Sequence, residues 1–532
     1  MHRARFPTGA VAALAAAAAG LAGLAAGACA SSDGYAVITV DARPAVHDAR
    51  SLTVSLTNAG TTRMDSLPLR EQPFPVTFSI SAPGRTGDLS IAIDAIDAAG
   101  LVVGHGSAAT TVEANAAGVM LESTDFVVNT DYAGDQYPSS DFEAVGFQVA
   151  ALPDGTWTTA YRDSCPSSSC SLYARRFDKL GRPVQTQAAA GTNAFPLTVR
   201  PTTSASTPAI AAGATTTIAV WDFYDVSGTA TGVACRTLDT GGRAGPDQIS
   251  LATESADVVA VAAVAGDAFV ASWTALVSPA AIHAVFIKPD CTAATSVLTV
   301  STLTGTVHRS SVASAGDRVL FAWITDGSLH TRIASTAGVF STADTVLVPA
   351  TATEQVEHAR VVPASGGGFV IAVRWAQKTT ADGPGRIELY RVTATGALAG
   401  PATLVTDRSG SDFDNSESFA AVRRSDGTVL IAWHTCGPLG DDSMCGVFGR
   451  TMRDTGEAIS NVFTIPTTTL GDQKRPSVAA LPDAFVAVWA DASAKPPDVA
   501  GQSVRARIFY PTAPGPTAPA PTAPAPTAPA AP

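Results

Sequence analysis

Charge is what this chain has least of. Only 15% of its 532 residues are Asp, Glu, Lys or Arg, and no block of Lys and Arg follows the opening residues. With a formal net charge of -12, a broad nucleic-acid surface is excluded, because phosphate binding needs clustered basic charge. Beyond residue 30 there is no apolar run long enough to span a bilayer. The G-x-S-x-G and H-E-x-x-H patterns of hydrolytic enzymes are absent. Cysteine is scarce, and its count of seven is odd. What fills the chain instead is Ala, Val, Thr, Ser and Gly, in short runs cut by Asp-Gly and Gly-rich turns. That is the composition of many short β-strands.

The two ends differ from the rest. Residues 1–28 begin with "MHRAR" and continue as a nearly unbroken run of Ala, Gly, Leu and Val from Ala10 to Gly27, the layout of an export signal. "LAAGAC" (Leu24 to Cys29) resembles a bacterial lipoprotein box, which implies a lipid on Cys29, residues 29–34 as a tether, and the outer membrane or cell surface as destination. "AGA" (Ala26 to Ala28) also fits ordinary cleavage and plain secretion. The odd cysteine count favours the lipid, since the other six can pair among themselves in an oxidising compartment. At the other end, residues 511–532 repeat Pro, Thr and Ala with nothing large enough to build a core, and are expected to be a disordered tail.

Residues 35–124 read as a unit of their own. "YAVITV", "SLTVSL", "PVTFSI" and "DLSIAIDAID" alternate apolar and polar positions between turn residues, which predicts a small two-layer β-sandwich. The pattern resembles the immunoglobulin-like domains near the N-terminus of exported bacterial proteins, without their cysteine pair.

From residue 125 to 510 the chain repeats. Seven apolar runs end on an aromatic: "TWTTAY" at Tyr161, "TIAVW" at Trp221, "FVASW" at Trp273, "LFAW" at Trp323, "FVIAVRW" at Trp375, "VLIAW" at Trp433 and "FVAVW" at Trp489. The seven Trp of the chain fall one to each run. Each run has an apolar strand and tight turn before it and two shorter strands after it, at a period of about 50 to 60 residues. Four strands per unit predict a seven-bladed β-propeller, with the Trp residues packed between blades. The last repeat stops after "VRARIFY" and lacks its outer strand. "VAALPD" occurs both at Val149 to Asp154 and at Val478 to Asp483, each time after a "GDQ". The segment upstream of the first copy, Phe126 to Thr130, therefore matches an outer strand and is expected to close the ring on blade seven. The fold class is all-β: sandwich, seven-bladed propeller, tail.

Candidate sites are few. Cys165 with Cys170, and Cys436 with Cys445, bracket loops at equivalent places and should form local disulfides. Cys235 and Cys291 are left over, and their pairing stays open. His308, Arg309, His358, Lys474 and Arg475 stand where first strands begin, and form a candidate cationic rim for an anion such as a sugar acid. His308, His358 and Lys474 align as equivalents, with Glu357 and Asp472 as the acids able to balance them, and two histidines would make binding depend on pH. "DFDNSES" (Asp412 to Ser418) lacks the third acid and the Gly of a calcium loop, so no metal or other cofactor is expected. "LPDGTW" shares only fragments of the S-x-D-x-G-x-T-W box of sialidase-like propellers.

The expectation is a non-enzymatic, monomeric scaffold binding a protein or glycan, touching the membrane through its lipid alone. The alternative is a glycosidase or polysaccharide lyase with its site at the channel mouth. Buried carboxylates and arginines there favour the enzyme, and a channel lined by Ser, Thr, Val and Ala favours the scaffold.

Overall fold

The structure is a computed structural model. It describes residues 35–510 apart from 115, 131–146, 163–170, 185–193, 199–202, 206–207, 226–230, 240–243, 246–247, 303–306, 379–384, 410–418, 437–444 and 500. The leader, Cys29, the Cys165–Cys170 pair, the Asp412 to Ser418 loop and the Pro-rich tail lie outside the described residues. Among the described residues no helix is long and apolar enough to cross a membrane.

The first unit is a seven-stranded sheet in the order Thr61–Pro68, Ser51–Asn58, Asp88–Ile96, Val102–Thr111, Ala116–Ser123, Tyr35–Ala42, Val76–Ser81. Val102–Thr111 and Ala116–Ser123 are joined by two residue pairs, Gly104 with Ser123 and His105 with Glu122. The sheet folds there into two layers. Strict alternation supplies the core between them: Leu52, Val54 and Leu56 point inward with Ile38, Val40, Ile91, Ile93, Val119 and Leu121.

The second unit is seven blades, six of four strands and blade two of five, in which Thr203–Ala205 and Ala209–Ala212 both pair with the second strand Thr217–Asp225. In blade five, for example, the strands are Glu354–Pro363, Phe369–Gln377, Gly385–Val392 and Thr403–Ser409, paired antiparallel in that order. The second strand of each blade has neighbouring blades on both faces, so its residues need no alternation. Phe369–Gln377 is buried at every position but its last, and Phe485–Asp491 at every position. This explains the unbroken apolar runs that ended on Trp.

Seven apolar clusters fill the seven seams, and each holds one Trp: Trp157, Trp221, Trp273, Trp323, Trp375, Trp433 and Trp489. Trp221 of blade two packs with Ala160, Leu172 and Ala174 of blade one, and Trp375 of blade five with Leu320 and Ile333 of blade four. First strands of neighbouring blades touch all the way round, enclosing the central channel.

The ring is closed by the chain's earlier segment. Phe126–Val127 pairs with Ser503–Phe509, the third strand of blade seven, with Val127 opposite Arg505 and Phe126 opposite Ala506. The Val128 amide donates to the Val504 carbonyl at 2.8 Å, and the Val504 amide to Asn129 Oδ1 at 2.9 Å. Asn129, fully buried, also donates to Asp498 at 2.9 Å. Closure consumes the edge that blade seven would otherwise expose. The sandwich rests on the same seam: Arg507 Nε donates to the Ser123 carbonyl at 2.9 Å, and Arg43 lies over the Tyr510 ring at 5.2 Å.

Two disulfides are present among the described residues. Cys436 and Cys445 face each other at the end of the second strand of blade six. Cys235 and Cys291 join blades two and three across 56 residues, with Cα atoms 5.7 Å apart. The pairing left open by the sequence is thus made, and it does not join two third strands directly. Cys291 lies in the turn after its third strand, and that turn folds onto the preceding blade. In blades four, five and six the same place is held by Gly338, Gly396 and Gly456, all at positive φ, each directed at a side chain of the blade before. Cys291 takes this glycine place at φ 65° and meets Cys235 there. These bridges agree with folding outside the reducing cytoplasm.

Candidate functional site at the channel mouth

First strands start, and second strands end, on one face of the propeller. On that face the first strands of blades three, four, five and seven each break register. In blade four Arg309 and Ser310 bulge out between His308 and Ser311, and in blade seven Arg475 and Pro476 do so between Lys474 and Ser477. In blade five Glu357 is the extra residue between Val356 and His358. A bulge swings a side chain out of the sheet's alternation, and here it does so beside the channel.

Ladder pairing corrects the alignment of rim residues. His308 and Lys474 pair one place after the Trp of their second strands, opposite Ile324 and Ala490; Gln355, opposite Ala376, holds that position in blade five. His358 pairs with Arg374, one place before Trp375, and so corresponds to Ser311 and Ser477. The first hairpin of blade five runs from Pro363 to Phe369 where that of blade four runs from Ala315 to Arg318, and this extra length shifted the count. Ser311 and Ser477 each accept an amide from the next blade, Val361 at 3.0 Å and Val149 at 3.2 Å. His358 likewise reaches the next blade, its ring edge-on to Phe419 at 6.3 Å.

His358 is 1% exposed. Its Nδ1 lies 2.9 Å from Arg309 Nη1 of blade four. Burial holds its pKa well below the ordinary histidine value, and the positive charges of Arg309, Arg374, Arg360 and His434 push it the same way. The ring is thus neutral near pH 7 and accepts from the Arg309 guanidinium, so the titrating role expected for it does not hold. Arg374, 4% exposed, donates to Glu357. Arg360 lies over the Phe419 ring at 5.6 Å. His434, fully buried, accepts the Arg475 amide at 3.3 Å, which links blades six and seven. Lys474 pairs with Asp472 at 3.0 Å. The side chain of His308 lies outside the described set.

The structure therefore joins Arg309 to His358, places Arg475 against His434, and ties Lys474 to its neighbouring acid. Sequence reasoning missed Arg374, Arg360 and His434. Arg374 and His434 had a signal: each is a charged or titratable residue next to the Trp of an otherwise apolar second strand. Such a position is buried on both faces, so a polar group there needs a partner. Among the described residues no three His, Cys, Asp or Glu side chains gather as a metal site requires.

No family model and no curated protein matches the chain. Solved structures do. A protein of unknown function from Dyadobacter fermentans is 12% identical, with a TM-score of 0.42 over 74% of this chain and 99% of its own. The α-L-arabinanase of Penicillium chrysogenum is 10% identical, TM-score 0.38, over 73% and 98%. A leech intramolecular trans-sialidase is 9% identical, TM-score 0.37, over 90% and 93%. The expectation of a protein without catalytic activity is corrected on the mouth itself: it holds a buried guanidinium, Arg374, bound to the half-buried carboxylate of Glu357, where a passive face calls for Ser, Thr, Val and Ala.

Proposed function

We propose that the protein is an exported carbohydrate-active enzyme, a glycosidase or polysaccharide lyase, with its site at the channel mouth of blades four to seven. One observation carries this reading: Arg374 and Glu357 are bound together beside the neutral His358 and Arg309, next to the channel. Burying charged groups of this kind costs free energy that their mutual pairing only partly offsets, and such groups cluster at functional sites. Glu357 is the acid/base group in this reading, since it sits in the bulge with its side chain 17% exposed and oriented by Arg374. The lipid on Cys29 anchors the chain, with the sandwich as a stalk. The test is to incubate the full chain with a panel of neutral and acidic polysaccharides. Reducing ends and the ultraviolet absorbance of unsaturated ends are then followed. Products that vanish in Glu357→Gln support the reading; no product from any polysaccharide refutes it. Cys29→Ser should move the protein to the soluble fraction with its fold intact, and retention on the membrane would rule out the anchor.

A further inference from the structure

Five of the seven blades carry an arginine at one place in the third strand. Arg175, Arg236, Arg332, Arg450 and Arg507 each pair opposite the residue two before the aromatic that ends the second-strand run. Each guanidinium reaches back across the preceding seam. It donates to a carbonyl of the outer strand of the blade before, or of the residue directly after that strand. Arg236 of blade two donates to Pro196 and Leu197 of blade one at 2.9 and 3.0 Å. Arg332 of blade four donates to Val300 of blade three at 2.9 Å. Arg450 of blade six donates to Val405 of blade five at 2.7 Å, and Arg507 of blade seven to Ile465 of blade six at 2.7 Å. Arg175 of blade one does the same to Val128, directly after the closing strand. Charge-assisted bonds of this kind are strong and directional.

Two seams lack the arginine. Blade three has Val285 at that place, opposite Ala271. Its seam with blade two is the one that the Cys235–Cys291 bridge crosses, so a covalent tie stands where the arginine is missing. In blade five the run from Phe369 to Trp375 is longer than that from Val319 to Trp323 in blade four. The place therefore falls on Glu388 counted from Trp375, or on Tyr390 counted from the turn after the third strand. Tyr390 donates its hydroxyl to Glu388 at 2.6 Å, and Arg386 donates to the same carboxylate at 3.0 Å, all within blade five. Facing Tyr390 across the seam are Ile333, Leu347 and Val348 of blade four, in one apolar cluster with it. Apolar contact has no direction, so it resists sliding less than a directed bond does. Among the described residues, the seam between blades four and five has neither the arginine tie nor a disulfide. It is also the seam that Arg309 and His358 straddle.

We propose that the ring opens at the seam between blades four and five, and that this opening admits a saccharide to the channel mouth. The opening stands on the pattern of ties, and the admission of a saccharide rests on the proposed carbohydrate activity.

Two amides of buried valines measure the opening. The Val361 amide donates to Ser311 across this seam at 3.0 Å. The Val149 amide donates to the equivalent Ser477 at 3.2 Å, across the seam of blades seven and one that Arg175 ties. Native-state hydrogen exchange of the full chain, without sugar, should find Val361 exchanging about ten- to a hundredfold faster than Val149, the effect of one hydrogen bond to a charged group. Two variants supply the missing tie. Tyr390→Arg restores the arginine. Thr331→Cys with Gly396→Cys copies the native bridge, since Gly396 stands where Cys291 does and Thr331 precedes Arg332 as Cys235 precedes Arg236. Either tie should bring Val361 to the rate of Val149 and slow the cutting of any polysaccharide that the parent chain cuts. Exchange at Val361 as slow as at Val149 in the parent chain overturns the opening, and so does exchange that both ties leave unchanged. Tied chains that exchange slowly yet cut at the parental rate overturn its role in admitting the saccharide. A parent chain that cuts nothing removes that role along with the proposed activity, and the exchange rates still decide the opening.

Discussion

Replacing the Cys235–Cys291 bridge tests the blade-to-blade packing quantitatively. Two double variants differ at one atom group: Cys235→Ala with Cys291→Ala, and Cys235→Ala with Cys291→Gly. The bridge spans 56 residues, which in the chain-entropy model corresponds to about 4 kcal/mol. Both variants lose that. Cys291 is at φ 65°, where alanine is strained by about 1–2 kcal/mol. Glycine escapes the strain but gives up about 0.5–1 kcal/mol of chain entropy. The glycine variant should therefore be the more stable of the two, by about 0.5–1 kcal/mol. Urea unfolding without reductant, followed by Trp fluorescence, reads the difference as free energies extrapolated to water. If both variants unfold with the parent chain, the bridge adds nothing. If alanine proves more stable than glycine, Cys291 does not stand in a glycine turn and the equivalence with Gly338, Gly396 and Gly456 is wrong.

Three further outcomes are expected. Because His358 titrates well below its unfolded value, the unfolded chain takes up a proton first. Its share of stability is complete above about pH 6.5 and is lost as pH falls below that, with a slope approaching about 1.4 kcal/mol per unit. Urea midpoints across that range should flatten in His358→Gln, and an identical slope in the variant would refute it. A chain starting at residue 131 loses the Phe126–Val127 pairing and the Asn129 bonds; its whole propeller should melt at lower temperature and self-associate on size exclusion through the freed edge of blade seven. Asp491→Ala strips the buried Arg505 of its 2.8 Å partner and should cost about 3–5 kcal/mol in chemical unfolding, whereas a loss under about 1 kcal/mol would place that pair in solvent-like surroundings.

The blades were legible because each second strand is buried on both faces and so is apolar at most of its positions; the seven Trp residues mark those strands. Closure was legible because the ring reuses one sequence, "VAALPD", on both sides of the last seam. Register was not legible. It depends on bulges at Arg309, Glu357 and Arg475 and on the longer hairpin of blade five, none of which changes the apolar pattern. His358 was thus placed level with His308 and Lys474 when it faces Arg374. The Cys235–Cys291 bridge was hidden for a similar reason. Its signal is a cysteine standing where other blades have glycine, and that shows only once turns rather than strands are superimposed. The mouth was half legible: the first-strand residues, His358 among them, stood out, while Arg374 and His434 came from second strands read only for packing.

The central claim is that blades four to seven form a carbohydrate site at the channel mouth. A crystal structure of the full chain with an oligosaccharide that it cleaves tests it most directly. Sugar is expected at the mouth, with Glu357 beside a glycosidic bond. Sugar bound only at the opposite, hairpin face of the propeller or on the sandwich would contradict it.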